Sequence, residues 1–386
     1  MLFLLAIIAT AAVAFSLQQQ PPPLRFTKDG TFKLSIFSDL HYGEAENLPW
    51  GPQQDTNTTH VLNTILSIEQ PHLTILNGDL ITGEDTYLSN SSSYIDTIVQ
   101  PLINRDLLSA STYGNHDSDY NLSRAEIFAR EKRYPNSLTG RMVPGEVGKV
   151  GVSNYYLLVF GAGEGKDEEE GPVVILWFFD SRGGNCFQEL DGDGEKVALG
   201  EWVDESVAKW FIQTAAQLTK QYNRTIPSLA FFHIPIQAML AFQQEAGVDP
   251  HHEPGINDDN PLAPQTGTTY DGQDIPFMKA LLSTEGLIAT FSGHDHGDDW
   301  CYRWNSTLPG MNLTGNGLFL CFGRHSGYGG YGSWTRGARQ ILLDERTLDS
   351  HTETWVRLED GTVSGHVVLN RTYGEDYYPA VVDSFT

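Results

Sequence analysis

The 386-residue sequence contains few cysteines, few basic residues and no long apolar run after its first 15 residues. Its three cysteines, Cys186, Cys301 and Cys321, are too few for a small fold held together by disulfides, although an oxidising compartment permits one bridge. We favour Cys301 with Cys321 because both lie near the candidate site described below. Sequence alone leaves the two pairings that use Cys186 open.

The shortage of basic residues gives the chain a strongly acidic character. Its 24 Lys and Arg face 49 Asp and Glu, for a formal net charge of −25. Such a surface repels nucleic-acid backbones and anionic membranes, so we expect no nucleic-acid binding. It also keeps a secreted protein soluble, which is sufficient reason for most of these charges.

The single long apolar stretch lies at the N-terminus, in residues 2–15. It is too short to span a bilayer, and the small residues Ala12 and Ala14 suit signal-peptidase cleavage. We therefore predict a signal peptide over 1–16. Because its first residues lack Lys and Arg, an uncleaved anchor is the alternative. We expect no membrane span once the leader is removed.

Seven Asn-x-Ser/Thr triplets without a central proline support export. They begin at Asn57, Asn90, Asn121, Asn223, Asn305, Asn312 and Asn370. Together with the leader, these candidate glycosylation sites favour the secretory-pathway lumen, the cell wall, a vacuole or the extracellular medium over the cytosol.

The rest of the sequence has the pattern of a globular α/β protein. A low-complexity spacer is predicted over 17–31, the main domain over 32–345, and C-terminal strands that pack on the same domain over 346–386. Runs with strand character alternate with helical patterns at 60–69 and 201–218. The acidic, Gly-rich segment 161–171 is expected to be a hairpin loop, and the polar segment 242–275 a rim over the site.

Five clusters of metal-competent side chains each follow a predicted strand directly. The strand-like runs are KLSIFS, HLTIL, SASTY, LAFFH and LIATFS, and the residues at their ends are Asp39, His41, Asp79, Asn115, His116, Asp117, His233, His294 and His296. If these strands are parallel neighbours, their carboxyl ends meet at one edge of the sheets. The sequence therefore predicts that the clusters converge.

The collected side chains mix carboxylate, amide and imidazole groups, which suit transition metals such as Zn, Mn, Fe or Ni. A structural zinc site would normally use cysteines, and calcium prefers an all-oxygen site. The chemistry thus indicates a catalytic transition-metal site.

In their order, the blocks D-x-H, G-D, G-N-H-D, H and G-H-x-H resemble those of the calcineurin-like metallophosphoesterase family. The resemblance covers roughly 33–300 and implies a four-layer α/β/β/α sandwich of two mixed sheets. It also implies two divalent or mixed-valence ions (Zn, Mn or Fe). Their expected ligands are Asp39, His41 and His296 for one ion, Asn115, His233 and His294 for the other, and Asp79 for both.

The same resemblance implies roles for His116 and Asp117. His116 is expected to lie beside the substrate without binding metal, and Asp117 to orient it. A hydroxide that bridges two ions can attack phosphorus in line, so we expect hydrolysis of phosphate monoesters. The substrate would be a small phosphorylated molecule or a phosphoprotein. Phosphodiester hydrolysis, and a secreted metal-binding glycoprotein without turnover, are the alternatives.

Two further features refine the resemblance. Purple acid phosphatases of the family carry a tyrosine three residues after the bridging aspartate, but this sequence has Thr82, so no purple iron–tyrosinate colour is expected. The Gly-rich run that begins at Cys321 resembles the end of fungal and plant relatives of those enzymes, which also have a cysteine at the position of Cys301. Within this run, Arg324 and His325 are candidates for binding substrate phosphate.

Overall fold

The structure is a computed structural model that describes residues 22–163, 170–267 and 269–385. The predicted signal peptide therefore lies outside the described residues. The end of the predicted spacer is described and contains a short strand at Leu24–Arg25, which pairs with Val159 and Phe160. Leu24 and Phe26 are buried there, so the packed domain begins earlier than residue 32.

Two large sheets and one small sheet contain the strands. The strands are β1 (Leu24–Arg25), β2 (Thr31–Phe37), β3 (Leu73–Asn77), β4 (Leu108–Thr112), β5 (Tyr155–Phe160), β6 (Pro172–Phe178), β7 (Asn185–Leu190), β8 (Lys196–Ala198), β9 (Ser228–Phe231), β10 (Leu287–Ser292), β11 (Cys301–Trp304), β12 (Leu318–Phe322), β13 (Gly337–Asp344), β14 (His351–Leu358) and β15 (Val363–Asn370). The seven-stranded sheet has the order β1-β5-β6-β9-β10-β12-β11, and the six-stranded sheet has the order β15-β14-β13-β2-β3-β4. Strands β7 and β8 form a separate hairpin.

The α-helices of the described residues are α1 (Gly51–Glu69), α2 (Tyr94–Ile103), α3 (Arg124–Glu131), α4 (Val147–Val150), α5 (Glu205–Tyr222), α6 (Gln237–Ala241) and α7 (Ile275–Ser283). Short 3₁₀ turns cover Gly83–Asp85 and Ser91–Ser93, and a π-helical turn covers Phe242–Ala246. Asp204 caps α5 by accepting a hydrogen bond from the Ser206 backbone N–H. Among the helices described, none has the length and apolar character needed to cross a bilayer.

Three hydrophobic cores separate four layers of secondary structure. One core lies between the seven-stranded sheet and helices α5 to α7, a second between the two sheets, and a third between the six-stranded sheet and helices α1 to α3. This arrangement confirms the predicted α/β/β/α sandwich of two mixed sheets. Strand β6 is apolar throughout because it is covered on both faces. Trp177 faces the helices, whereas its neighbours Leu176 and Phe178 face the other sheet.

The central strands of each sheet run parallel. Strands β2, β3 and β4 pair in parallel in one sheet, and β6, β9, β10 and β12 do so in the other. The carboxyl ends of both sets open at the same edge of the sandwich, which is where such folds place ligands.

The ends of the domain complete the two sheets. Strands β14 and β15 extend the six-stranded sheet, so most of 346–370 is part of the main sandwich.

Strands β5 and β6 are antiparallel neighbours, as the expected hairpin requires, although 164–169 of its loop lie outside the described residues. The expected rim segment begins with the π-helical turn at Phe242–Ala246 and has little other regular structure among its described residues. Its Ala263 lies at the cavity described next.

Candidate metal centre

Each predicted ligand lies in a loop that begins at the carboxyl end of a central strand. Strand β2 leads to Asp39 and His41, β3 to Asp79, β4 to Asn115, β9 to His233, and β10 to His294 and His296. The convergence predicted from the sequence therefore occurs in the structure.

Four of these positions adopt left-handed backbone conformations, which non-glycine residues rarely do. The φ angles are 58° at Asp39, 50° at His41, 48° at Asp79 and 78° at His294. Such conformations each carry a free-energy penalty of roughly 1 to 3 kcal/mol and are concentrated at functional sites. The loops thus turn sharply enough to direct several side chains into one small volume.

Two glycines make room for this crowding. A Cβ atom added at Gly114 would lie 2.2 Å from Asp79 Oδ1, and one added at Gly330 would lie 2.4 Å from His296 Cε1. Any larger residue would displace a predicted ligand. The glycine in G-N-H-D therefore allows the close approach of Asp79 to the loop after β4.

The acidic and imidazole groups gather into two sets of three. In one set, ligand atoms of Asp39, His41 and His296 lie within 4.8 Å of one another; the other set contains Asp79, His233 and His294 at the same spacing. Five of the six residues are buried. The first set contains the three residues expected for one ion. The second contains two of the three residues expected for the other ion, His233 and His294, together with Asp79, which is expected at both.

Asp79 lies between the two sets. Its Oδ2 atom is 2.9 Å from His233 Nε2 and 3.9 Å from His41 Nε2. Its Oδ1 atom accepts a hydrogen bond of 2.8 Å from the His116 backbone N–H. The carboxylate therefore has one oxygen held by the backbone and the other facing a histidine from each set.

Carbonyl groups fix the orientation of two ligand imidazoles. His233 Nδ1 donates to the Asn77 carbonyl and His296 Nδ1 donates to the Tyr331 carbonyl, both at 2.9 Å. Since a carbonyl can only accept, each Nδ1 carries a proton, and in the neutral ring Nε2 is left with a lone pair. On both rings, the free nitrogen lies among the predicted ligands.

Burial favours the neutral form of three of the four ligand imidazoles. Burial lowers the pKa values of His294 and His296 to about 3 and holds the pKa of His41 well below its usual range. Burial also acts to lower the pKa of the fourth, His233, but the facing Asp79 raises it to about 9, so a metal ion bound at that ring would displace a proton. Burial acts to raise the pKa of Asp79, but the facing His233 and His116 hold it well below its usual range. Neutral imidazole and ionised carboxylate are the forms that bind metal.

Two buried atoms test whether metal ions suit this donor set. Asn115 Oδ1 and His233 Nε2 are shielded from solvent and lack hydrogen-bond partners in the described structure, although His233 Nε2 lies 2.9 Å from the Asp79 carboxylate. A lone pair that faces a carboxylate oxygen at this distance requires a proton or a cation between them. The orphaned amide oxygen and imidazole nitrogen therefore fit transition-metal ions.

His116 lies beside the two triads with a partner that the sequence reasoning missed. Its Nδ1 donates to Glu84 Oε1 at 2.5 Å, and its ring packs edge-on against His41 with 4.9 Å between centroids. Glu84 follows Asp79 by five residues, and the Gly83 backbone N–H donates to the His116 carbonyl. A glutamate in a turn after G-D carries no distinctive sequence signal.

Asp117 does not orient His116, contrary to the expectation from the family pattern. Its Oδ1 accepts from the Leu80 and Ile81 backbone N–H groups, and its Oδ2 accepts from that of Gly114. This fully buried carboxylate joins the loop after β3 to the loop after β4. Asp117 thus fixes the backbone that carries two predicted ligands.

Arg324 is not brought to the site as a phosphate-binding group. Its guanidinium is buried, forms a 2.8 Å ion pair with Asp299 and donates to the Thr335 carbonyl. These contacts use the donors that substrate binding would need. His325 is also buried; it packs on the His296 ring at 3.8 Å between centroids, and its Nε2 bonds to the Gly329 carbonyl. His325 therefore packs against the predicted ligand His296.

The remaining sequence candidates occupy varied positions. Cys301 and Cys321 form a disulfide between the directly opposed strands β11 and β12, and Cys186 is free. Thr82 Oγ1 lies 3.1 Å from His41 Nδ1. Three of the glycosylation triplets begin at exposed asparagines, namely Asn223, Asn305 and Asn312. The amides of Asn90 and Asn121 instead donate to neighbouring groups.

A cavity of about 430 Å³ opens above the two triads. Four histidines and four acidic residues line it together with smaller groups: His41, Glu44, Asp79, Thr82, Glu84, His116, Ala263, His294, Asp295, His296, Gly330 and Tyr331. Its size suits a small molecule. The cavity gives solvent access to His116 and to both sets of ligands.

The side chains of the five sequence blocks thus gather at one cavity, with Asp79 between two groups of histidines and His116 at the cavity wall. Residues 32–298 match the family model described as calcineurin-like phosphoesterase, which covers more than half of the chain. The chain belongs to the calcineurin-like phosphoesterase family. Members of this family act on phosphorylated substrates and use a dinuclear metal centre.

Several proteins resemble this phosphoesterase over most of its length. It is 27% identical to "Probable inactive purple acid phosphatase 29" of Arabidopsis thaliana, over 88% of this chain and 86% of that protein. It is 29% identical to "Phosphatase DCR2" of Saccharomyces cerevisiae over 87% of this chain, which spans only 55% of that longer protein. A dimetal phosphatase from Danio rerio has the same fold, with a TM-score of 0.51 at 12% identity, over 88% of this chain and 98% of that one.

Proposed function

We propose that this phosphoesterase is a secreted, metal-dependent phosphatase that hydrolyses phosphate monoesters. The observation that carries the proposal is the position of Asp79 Oδ2, between His233 of one triad and His41 of the other. Two ions bound to these residues would supply a hydroxide nucleophile at neutral pH and neutralise charge on the phosphoryl oxygens.

A separate set of residues would bind each ion. Asp39, His41 and His296 would hold one ion, and His233, His294 and the orphaned amide oxygen of Asn115 would hold the other, with Asp79 shared between them. The carbonyl partners of His233 and His296 hold the Nδ1 atoms, so the Nε2 atoms would be the ones that bind the ions. This preorganised set needs no rearrangement of its backbone to receive metal.

His116 is the proposed catalytic residue that binds no metal. It lies at the cavity wall beside His41, where it would stabilise charge on the transferring phosphoryl group or protonate the leaving oxygen. Glu84 is the proposed positioning residue, since its carboxylate holds Nδ1 of that ring. No protein side chain needs to be phosphorylated in this scheme.

The activity is tested with p-nitrophenyl phosphate and bis(p-nitrophenyl) phosphate, using protein reconstituted with Zn, Mn or Fe. We expect turnover of the monoester, and loss of that turnover in Asp79→Asn and His116→Ala. Turnover of the diester alone would make the protein a phosphodiesterase. Unchanged monoester hydrolysis in both variants would contradict the proposed mechanism.

A metal-binding glycoprotein without turnover is the second candidate. This candidate is favoured by the similarity to a plant protein that is named as a probable inactive phosphatase, although this chain has all seven predicted ligands and His116. Bound metal without hydrolysis of phosphate monoesters, phosphodiesters or phosphopeptides would establish the binding role.

Passage through the secretory pathway is part of the proposal. The leader, the seven triplets and the buried disulfide between Cys301 and Cys321 support it. We expect the exported protein to lack its first residues and to lose mass on treatment with an endoglycosidase. An intracellular protein with an intact N-terminus would contradict this part of the proposal.

A further inference from the structure

The wall of the cavity beside His116 is built from acidic residues on two neighbouring loops. Glu44 follows His41, and Glu84 and Asp85 lie in the 3₁₀ turn after Asp79. The loops are joined because the Ala45 backbone N–H donates to Asp85 Oδ2 at 2.8 Å. Glu44 and Glu84 therefore line the cavity, and Asp85 joins their two loops outside the lining.

Neighbouring cations do not fully balance the negative charge of these carboxylates. Glu84 bonds to His116, but Glu44 Oε2 accepts only a backbone N–H, that of Gly330 at 2.6 Å. Burial raises the pKa of Glu44. The Gly330 N–H and the nearby His116 act to lower it, whereas Asp85 and Glu84 raise it by repulsion, and the pKa remains above its usual range. A positive charge brought to Glu44 would relieve that repulsion.

Among the described residues that line the cavity, none is Lys or Arg. The guanidinium of Arg336 is buried and donates to the Trp334 and Gly332 carbonyls, while that of Arg324 pairs with Asp299. The cavity thus has no flexible cation to neutralise a second phosphate or a carboxylate on the substrate.

Two further lining groups suit a positive charge. Tyr331 stacks on the His296 ring at 4.0 Å between centroids and is 50% exposed, so part of its ring is available for a cation–π contact. Asp295 is 5% exposed, and its Oδ2 has no hydrogen-bond partner in the described structure. An unpaired buried carboxylate at a cavity is stabilised by a nearby cation.

We propose that the site selects phosphate monoesters whose leaving group carries an ammonium group, with the phosphate at the two triads and the ammonium at Glu44. This selectivity rests on the phosphatase activity proposed above and names its substrate class. The same wall disfavours leaving groups with additional negative charge, as does the net charge of −25.

Three esters of similar size separate charge from shape: 2-aminoethyl phosphate, propyl phosphate and phosphoglycolate. With metal-loaded protein, we expect kcat/KM to fall in that order, by about tenfold at each step at low ionic strength. Raising the salt concentration should reduce these ratios, because screening weakens the interaction at a solvent-accessible wall.

Glu44→Gln keeps the shape of the side chain and removes its charge. We expect this variant to lower the ratio of kcat/KM between the aminoethyl and propyl esters by about fivefold, mainly through KM. Glu126→Gln removes one negative charge from the exposed surface of α3, outside the cavity lining, and should leave the ratio unchanged.

The possible outcomes separate the two proposals. Equal kcat/KM for all three esters, or an equal effect of Glu44→Gln on each of them, would overturn the charge selectivity and leave the phosphatase activity standing. If none of the esters, nor p-nitrophenyl phosphate, is hydrolysed, the phosphatase activity itself is wrong.

Discussion

Removal of the disulfide between Cys301 and Cys321 should destabilise the protein by an amount that follows from the loop it closes. The two cysteines are 20 residues apart, and both are buried at directly opposed positions of β11 and β12. Closing a loop of this size in the unfolded chain is worth about 3 kcal/mol in the chain-entropy model. For a domain of this length, that corresponds to a decrease in Tm of about 4 °C.

The perturbation is the double variant C301A/C321A, and the control is Cys186→Ala. Because Cys186 is free and only half-buried, its replacement should change stability little. The assay is equilibrium unfolding in urea, followed by fluorescence of the eight tryptophans, with thermal unfolding as a second measure. Wild type with its disulfide reduced should lose nearly as much stability as the double variant.

Two results would refute the reasoning. If C301A/C321A and Cys186→Ala have the same midpoint, the bridge does not constrain the unfolded chain. If labelling of the denatured wild type finds three free thiols, the bridge does not form, and the pairing is wrong.

Two other substitutions test individual contacts. Glu84→Gln should lower kcat by about tenfold with little change in KM, because it weakens the hydrogen bond that holds His116 Nδ1. Glu84→Asp should recover part of that loss. Equal decreases in kcat and in metal content would indicate a structural role for Glu84 instead. Asp299→Asn should lower the free energy of unfolding by about 3 to 5 kcal/mol, since it leaves Arg324 buried without its ion pair. The exposed pair of Arg346 with Asp344 is the comparison. Asp344→Asn should change the free energy of unfolding much less than Asp299→Asn does, because water screens an exposed ion pair, and a similar loss in both variants would contradict the assignment.

The sequence was sufficient to predict the layers and the convergence of the ligands. Each block follows a run with strand character, so the strands could be inferred from local pattern. Their parallel order is an assumption that the structure confirms, and the four layers are implied by the family resemblance. Once β2, β3, β9 and β10 are parallel neighbours within their sheets, the residues at their carboxyl ends must lie together. Both triads follow from that rule and from the family resemblance.

The partners of these residues could not be predicted, because they come from distant parts of the chain. The carbonyl that orients His233 belongs to Asn77, 156 residues earlier. The failed expectations have the same cause. Asp117 is next to His116 in sequence, but its carboxylate accepts hydrogen bonds from the backbone after β3 instead of contacting the His116 ring. Arg324 lies in a Gly-rich run that suits phosphate binding, but its guanidinium forms an ion pair with Asp299.

The short strand at Leu24–Arg25 escaped prediction for a different reason. It has only two residues, next to a Pro-rich segment, and its pairing depends on the edge that β5 presents. Two residues carry no periodicity, so the pattern could not distinguish this strand from a spacer.

The central claim is that two metal ions are held by separate triads that share Asp79. The most direct test is the metal content of purified, reconstituted protein, measured by inductively coupled plasma mass spectrometry for wild type, His41→Ala, His294→Ala and Asp79→Ala. We predict two ions per chain in wild type, about one in each histidine variant and fewer still in Asp79→Ala. One ion or none in wild type, or two ions retained in Asp79→Ala, would contradict the account.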